Sequence, residues 1–489
     1  MKDVFSVPVA EAGSLIEQRG IDFIPEGERW AKPRDLFWMW VGALFNVEYV
    51  VYGALVMSFG LTFYQAVAVI LIGNLSFFLL GLTSLQGPDA GTTTFTINRA
   101  AYGPNGSKLL SLFNWLTQVG FETEGLALIV LAAIALSSQA GLQVSTTGKI
   151  LFIVLAGLIQ LVLPLFGHSA ILKTLRALAV PFLILFAAMT FLSVGKLDLH
   201  SVAHGANWQT MFAVLAVVIS ASGLGWTENG NDYSRYVERS ASKGKIVLWV
   251  FLGTAVPSIL LMLLGAAIFT FVPSATNPIS GLPHAFPAWF LTPYLLIAIV
   301  QLFAINSLDL YSSGVTLQAL GLRVKRWGAV IIDTIVAGAD TALVIFKGNF
   351  YADLSGFLNY IVVWIAPWFA ILVVDWLLRR GLYDREALVG ERGGLYWRNG
   401  GANWRALVAQ GLGMAAALSW INAEYYQPSY LSPISKLTGG SDMSWALGII
   451  VGGLVYFGLA ARSVAAERRA TPELSAAPLS PGAPAGIEA

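Results

Sequence analysis

The sequence predicts an all-α integral membrane protein of twelve transmembrane helices, built as two folded halves. Three observations predict it. Of 489 residues, 56% are hydrophobic and only 12% are charged, whereas soluble globular chains carry about 25% charged residues. Twelve apolar runs are long enough to span a bilayer, which takes about 20 residues each. The first and sixth runs are interrupted by glycine and polar residues at matching places, and paired interruptions of this kind point to a transporter's binding site.

The runs fall at about 36–59, 63–86, 108–136, 149–167, 175–195, 208–231, 245–271, 288–317, 327–346, 350–379, 403–421 and 444–463. A first half of about 36–195, a second of about 208–379 and two extra helices at about 403–463 make up a transporter domain over 36–464. The polar segment 1–35 ahead of it fits no cleavable signal peptide. The tail 465–489, rich in Ala, Pro, Ser and Glu, is expected to be disordered. With the N-terminus inside, inner loops hold Arg99, Lys108, Lys173, Arg176, Arg235, Arg239, Lys243, Lys245, Arg323, Lys325 and Arg326. Further basic residues lie between Arg379 and Arg405, while outer loops hold only Lys149, Lys196, Lys347 and Lys436. That asymmetry places both termini in the cytoplasm and the chain in the cell membrane.

Composition also excludes. A net charge of +1 gives no basic surface for nucleic acid. Without cysteine there is no disulfide, thiolate nucleophile or Cys metal site. His168, His200, His204 and His284 have no ligand-like partners in the sequence. No zinc-protease, nucleophile-elbow or phosphate-loop motif occurs in a suitable context, so neither an enzyme nor an ATP-driven pump is expected, and no cofactor or metal. A channel is disfavoured because the polar residues cluster in few helices.

The first interruption is Trp38 to Tyr52, with Gly42, Asn46 and Glu48 inside an apolar run. The second is Ser220 to Tyr233, with Gly223, Gly225, Trp226, Thr227, Glu228 and Asn229. Glycine weakens the helix, and intramembrane amides and carboxylates are costly unless they serve a function. In the third run, Gln118, Phe121 and Glu122 share one helical face, with Glu124 beside them. The eighth run offers Asn306, Asp309 and Ser312. Each has a blander reading: Gln118 as interhelical glue, Phe121 as packing, Trp226 as an interfacial anchor, Asn306 and Asp309 as a polar seam. Trp30, Trp38, Trp40, Trp289, Trp364, Trp368 and Trp376 read as interface-belt or packing residues, and Asp375 as a structural partner of Arg379 or Arg380. The polar stretches Leu85 to Gly103 and Gly381 to Asn403 read as cytoplasmic loops, the first with an amphipathic turn.

Four stretches carry a resemblance. GPDAGTTTFTINRAAYG after the second run, NDYSRYV at 231–237, FLNYIVVWIAPWFAILVVDWLLRR at 357–380 and GGANWRALVA at 400–409 are similar, in order and spacing, to the nucleobase:cation symporter-1 family. This is the purine-cytosine permease group, which includes hydantoin, allantoin and vitamin B6 carriers. The resemblance implies the LeuT-type fold: a five-plus-five inverted repeat plus two extra helices, with helices one and six broken. It implies cation-coupled symport of a small heterocycle across the lipid bilayer by alternating access, helices one, two, six and seven moving against three, four, eight and nine. A monomer is expected to function. The implied substrate site comprises Asn46, Gln118, Phe121, Glu122, Gly225, Trp226, Asn306 and Asp309. Gln118 and Glu122 would bond ring amides, Phe121 and Trp226 would stack, and Gly223 and Gly225 would let the backbone approach.

Coupling is expected to involve Gly42, Phe45, Glu48 and Glu124. A sodium site in this fold uses carbonyls of the helix-one break, here around Gly42 and Phe45, with helix-eight hydroxyls. Where hydantoin carriers have a Ser-Thr pair, this chain aligns Phe303 and Ala304, and a one-turn shift would bring in Ser307. Glu48, Glu122 and Glu124 favour a proton as the coupling ion, with Glu122 or Glu48 as its carrier, and sodium stays open. A cytosine- or purine-like substrate is expected. Allantoin, a hydantoin, vitamin B6, an amino acid or an amine is the alternative, although acidic residues at the first break would repel a carboxylate.

Overall fold

The first apolar run is two helices. α1 (Pro33–Leu44) and α2 (Val47–Ser58) meet at 64°. Asn46 causes the break: its backbone is extended (φ −134°, ψ 167°) and its Oδ1 accepts from the Glu48 N–H at 2.8 Å, capping α2. Its Nδ2 donates to the Ala43 carbonyl at 3.0 Å, so one side chain closes α1 and opens α2. Gly42, expected at the break, lies inside α1 instead.

The structure is a computed structural model that describes residues 23–162, 168–201, 205–273, 278–279, 282–321, 326–390, 392–424 and 429–470. The expected disordered tail lies mostly outside these residues, as do most of the N-terminal segment and His204. The second run comprises α3 (Phe63–Asn74), α4 (Phe77–Thr83) and α5 (Gln86–Ala90). α6 (Thr94–Tyr102), α7 (Pro104–Gln139), α8 (Thr146–Gln160), α9 (His168–Val194) and α10 (Trp208–Ile219) follow. α10 runs into a wide π-type turn, Ser220–Leu224, where Ser222 leaves helical geometry (φ −108°, ψ −125°). The chain resumes in α11 (Gly230–Ser234) and α12 (Lys243–Phe269). Then come α13 (Leu282–Ala285), α14 (Ala288–Ala319), α15 (Arg326–Lys347), α16 (Phe350–Arg379), α17 (Arg385–Val389) and α18 (Trp404–Ser419). A two-residue pairing of β1 (Asn422–Ala423) with β2 (Tyr430–Leu431), α19 (Pro433–Leu437) and α20 (Ser444–Ala470) complete it.

Among the described residues, eight helices are long and apolar enough to cross a membrane, and the bent α1–α2 pair makes a ninth. α8, the Val180–Val194 part of α9 and α18 stand where the fourth, fifth and eleventh runs were expected. The chain order is thus consistent with twelve crossings.

Two bundles are visible in the packing. α1 and α2 lie along α12, while α7 lies along α14 and α15. The first bundle is cemented by glycine. A Cβ on Gly53 would come within 1.9 Å of the Met262 carbonyl, and one on Gly265 within 1.9 Å of the Val50 carbonyl. In a membrane, small residues of this kind let helix backbones touch. Gly265→Val should therefore separate α2 from α12 and destabilise the fold by about 1–3 kcal/mol. A lowered melting temperature of the detergent-solubilised protein is the readout, and an unchanged one would refute the contact.

Two stretches read as cytoplasmic loops are built into the structure. Every residue of α5 and α6 is buried, because their polar groups find partners across the chain. The Thr94 N–H donates to Asp232 Oδ1 at 2.9 Å, and Arg99 donates to the Leu388 carbonyl at 2.9 Å. Gly87 admits the backbone of Ser234 and Arg235 at a distance no side chain would allow. Gly381 to Asn403 likewise folds back, with Leu388 and Tyr396 buried. Near it Asp375 pairs with Arg379 at 2.7 Å, as the i, i+4 spacing predicts. Arg379 also binds Glu467 at 3.0 Å, and Tyr456 donates to Asp375 at 2.7 Å. Arg379→Met should cost about 3–5 kcal/mol, because it strands buried acids. Denaturation monitored by tryptophan fluorescence would test this, and wild-type stability would contradict it. Of the tryptophans, Trp40 and Trp368 are core residues, whereas Trp38 and Trp289 are 53% and 70% exposed and suit an interface belt.

Candidate substrate and coupling site

The expected face of α7 meets the break in the sixth run. Gln118 and Glu122, one turn apart, are both fully buried. Gln118 Nε2 donates to Glu228 Oε1 at 2.6 Å, across 110 residues of chain. The break itself is pinned to a second irregularity, between α3 and α4. The Gly223 N–H donates to Ser76 Oγ at 3.0 Å, and Ser222 Oγ bonds Asn74 Oδ1 at 3.2 Å. A Cβ on Gly223 would lie 2.0 Å from the Ser76 carbonyl, so the glycine serves helix contact.

Aromatic rings wall this region. Trp226 Nε1 donates to the Tyr49 hydroxyl at 3.0 Å, and the Trp226 ring meets Trp40 edge-on at 5.7 Å. A Cβ on Gly225 would sit 3.7 Å from Phe121 Cζ, so Phe121 lies over the break. On its other side Phe121 meets Phe357 edge-on at 5.0 Å. From α14, Asn306 Nδ2 donates to the Glu122 carbonyl at 3.1 Å and to Gln160 Oε1 at 3.3 Å. Asp309, 6% exposed, lies within electrostatic range of Glu48, Glu122, Glu124 and Glu228.

What the cluster lacks is donors. Gln118 Oε1, Glu228 Oε2, Asn306 Oδ1, Glu124 Oε1 and both carboxyl oxygens of Glu122 are buried with no hydrogen-bond partner. Buried acceptors without donors are costly, so the arrangement suits a ligand or a proton that brings them. Trp226, Phe121, Gln118, Glu122, Asn306 and Asp309 are thus brought together. Asn46 is committed to the helix-one break, and Glu48 and Glu124 lie at the edge, where Tyr52 donates to Glu124 Oε2 at 2.9 Å. Glu228 was visible in the second break, but nothing in the sequence paired it with Gln118.

Of two cavities in the structure, one is apolar, with Val51, Leu128, Met189, Tyr294 and Leu302 in its wall. The other, between α7, α15 and α16, reaches Glu124 and Phe357. Neither is lined by Asn46, Gln118, Phe121, Glu122, Trp226 or Asp309.

The Phe45 carbonyl, expected among the ion-coupling groups, has a protein partner. Gln301 Nε2 donates to the Phe45 carbonyl at 2.5 Å, and its Oε1 accepts from the Val47 N–H at 3.3 Å. One amide from α14 therefore satisfies both groups left open by the break. Gly42 lies in the last turn of α1, and Ser307 Oγ donates to the Phe303 carbonyl of its own helix at 2.7 Å. Among the described residues, no three His, Asp or Glu side chains converge as a metal site requires. Sequence reasoning missed Gln301, whose signal was a lone amide in the apolar stretch LIAIVQLFAI.

The chain matches, over residues 23–448, the family described as permeases for cytosine/purines, uracil, thiamine and allantoin. It is 30% identical to a putative purine-cytosine permease of Bacillus subtilis (strain 168), over 90% of this chain and 95% of that protein. It is 28% identical to the cytosine permease of Escherichia coli (strain K12), over 78% and 83% respectively. Among solved structures it is similar to a nucleobase-cation-symport-1 family transporter in a closed conformation with bromovinylhydantoin bound. That match has a TM-score of 0.75 and 19% identity, covering 94% of this chain and 98% of the other. The inward-facing form of the same transporter gives a TM-score of 0.72 at 20% identity, covering 92% and 96%. The fold is accordingly the LeuT-like inverted repeat, and the chain, a multi-pass membrane transporter and not an enzyme, belongs to the nucleobase:cation symporter-1 family of purine-cytosine permeases.

Proposed function

We propose that this transporter carries a donor-rich heterocycle of the cytosine or purine class into the cell, coupled to a proton. The observation that carries the reading is the set of orphan acceptors around the Gln118–Glu228 pair. A ring with an exocyclic amine and a ring N–H supplies the missing donors, and Phe121 and Trp226 supply faces for it. A carboxylate substrate would meet Glu122, Glu228 and Asp309 and be repelled, which disfavours amino acids. The proton is favoured because Glu122, Glu228 and Asp309 are buried acids able to load and release one, while Gln301 already donates to the Phe45 carbonyl expected in a sodium site. The two bundles supply the rigid bodies for alternating access. The asymmetry of Lys and Arg supports both termini lying in the cytoplasm of a cell-membrane protein. We take the functional unit to be the monomer, since the site is built from one chain.

Uptake of labelled cytosine into proteoliposomes tests the reading. An inward proton gradient should drive accumulation without sodium, a protonophore should abolish it, and adenine should compete better than an amino acid. Accumulation that follows a sodium gradient and ignores the protonophore would overturn the coupling. Competition by hydantoins or allantoin, with none by cytosine or adenine, would overturn the substrate class.

A further inference from the structure

The cavity between α7, α15 and α16 lies apart from the proposed substrate residues. Its wall contains Glu124, Asp340 and Asp353, with Lys347 at the loop end and Leu343, Val344 and Leu354 between. Glu124 is 5% exposed and lines the cavity with a buried Oε1 that has no hydrogen-bond partner. Its other oxygen accepts from Tyr52 on α2, the second half of the broken helix. Asp353 holds Lys347 at 3.8 Å through Oδ1, while its Oδ2 is buried and unpartnered. Phe357 forms part of the wall and separates the cavity from Phe121.

We propose that this cavity is the proton's path from the outer face to Glu124, separate from the path of the heterocycle. The inference rests on the proton-coupled reading. Lys347 ends α15 on the side that the charge asymmetry assigns to the outside, so the cavity opens on the side from which an importer takes its driving ion. Three acids against one lysine make its field negative, which concentrates cations and protons at the mouth. The groups facing Glu124 are Tyr52 and Glu48 from α2, Asp309 from α14, Asp340 and Lys347 from α15, and Asp353 from α16. Glu122 lies on its own helix. Glu124 touches both the cavity and, through Tyr52, the bundle that holds the broken helix. A proton taken up there is placed to alter the contact between the two bundles.

Because the chain has no native cysteine, the test is direct. Val344→Cys places a thiol in the cavity wall, and Leu343→Cys repeats the test on the same wall should the first variant not fold. A methanethiosulfonate bearing a trimethylammonium group is applied from outside, and complete labelling is verified by mass. Proton-driven cytosine uptake should fall about tenfold or more, because a fixed cation now opposes the proton. Cytosine exchange without a gradient should stay within about twofold of its unlabelled rate, since the heterocycle goes elsewhere. Full proton-driven uptake after complete labelling overturns the inference, and so does a matching loss of exchange, which would make the cavity the substrate's path. If the unlabelled protein ignores the proton gradient, the coupling reading itself fails, and this inference falls with it.

Discussion

Cytosine affinity should fall by about 5- to 150-fold in Gln118→Ala, the equivalent of about 1–3 kcal/mol for a buried polar group stripped of its partner. Gln118 bonds Glu228 through Nε2 and leaves its own Oε1 facing the cluster. Truncation removes that acceptor and also leaves Glu228 Oε1 without its donor, a further buried acceptor unpaired. Glu228→Gln should weaken binding less, because an amide keeps an acceptor at one position. The double variant should show non-additivity, since the two side chains are in direct contact. Trp226→Ala should cost about 0.5–1.5 kcal/mol beyond lost burial if the ring stacks on the heterocycle. Equilibrium binding of labelled cytosine to purified protein is the measurement. Wild-type affinity in both Gln118→Ala and Trp226→Ala, with normal expression, would remove this cluster from the substrate site.

The face carrying Gln118, Phe121 and Glu122 was legible because helical spacing is local: three residues at i, i+3 and i+4 share a side wherever the helix goes. The break in helix one was legible as well, since glycine and polar residues interrupt the apolar run there, and it falls at Asn46. Gly42 only weakens a helix, whereas Asn46 offers a side chain that caps one, and the cap decided where the bend fell. What could not be read was pairing over distance. Nothing near Glu228 indicates Gln118, and nothing near Thr94 indicates Asp232. The polarity of 85–103 suggested a solvated loop because its partners lie up to 308 residues away, on α16, α17 and α18. Polarity in a sequence reports that hydrogen bonds are needed, and water and protein satisfy that need equally well.

Gln301 carries the second large effect. Gln301→Leu should reduce uptake more than tenfold, because it orphans the Phe45 carbonyl and the Val47 N–H at once, and each buried loss costs about 1–3 kcal/mol. The two groups lie on either side of the bend, so their partner positions α2 against α14 and thereby one bundle against the other. Gln301→Glu separates a positioning role from mere packing. A neutral carboxylic acid has one O–H to donate to Phe45 and one oxygen to accept from Val47, as the amide does. An ionised carboxylate keeps the acceptor but loses the donor and places its charge against a carbonyl. Activity in Gln301→Glu should therefore be restored as pH falls and lost as pH rises, relative to the parent protein at each pH. Cytosine exchange without a gradient is the measurement, because it does not itself require a proton gradient. A flat ratio across pH, or full activity in Gln301→Leu, would show that the amide does not hold the break. Stimulation of the parent protein by sodium would remove the preference for a proton.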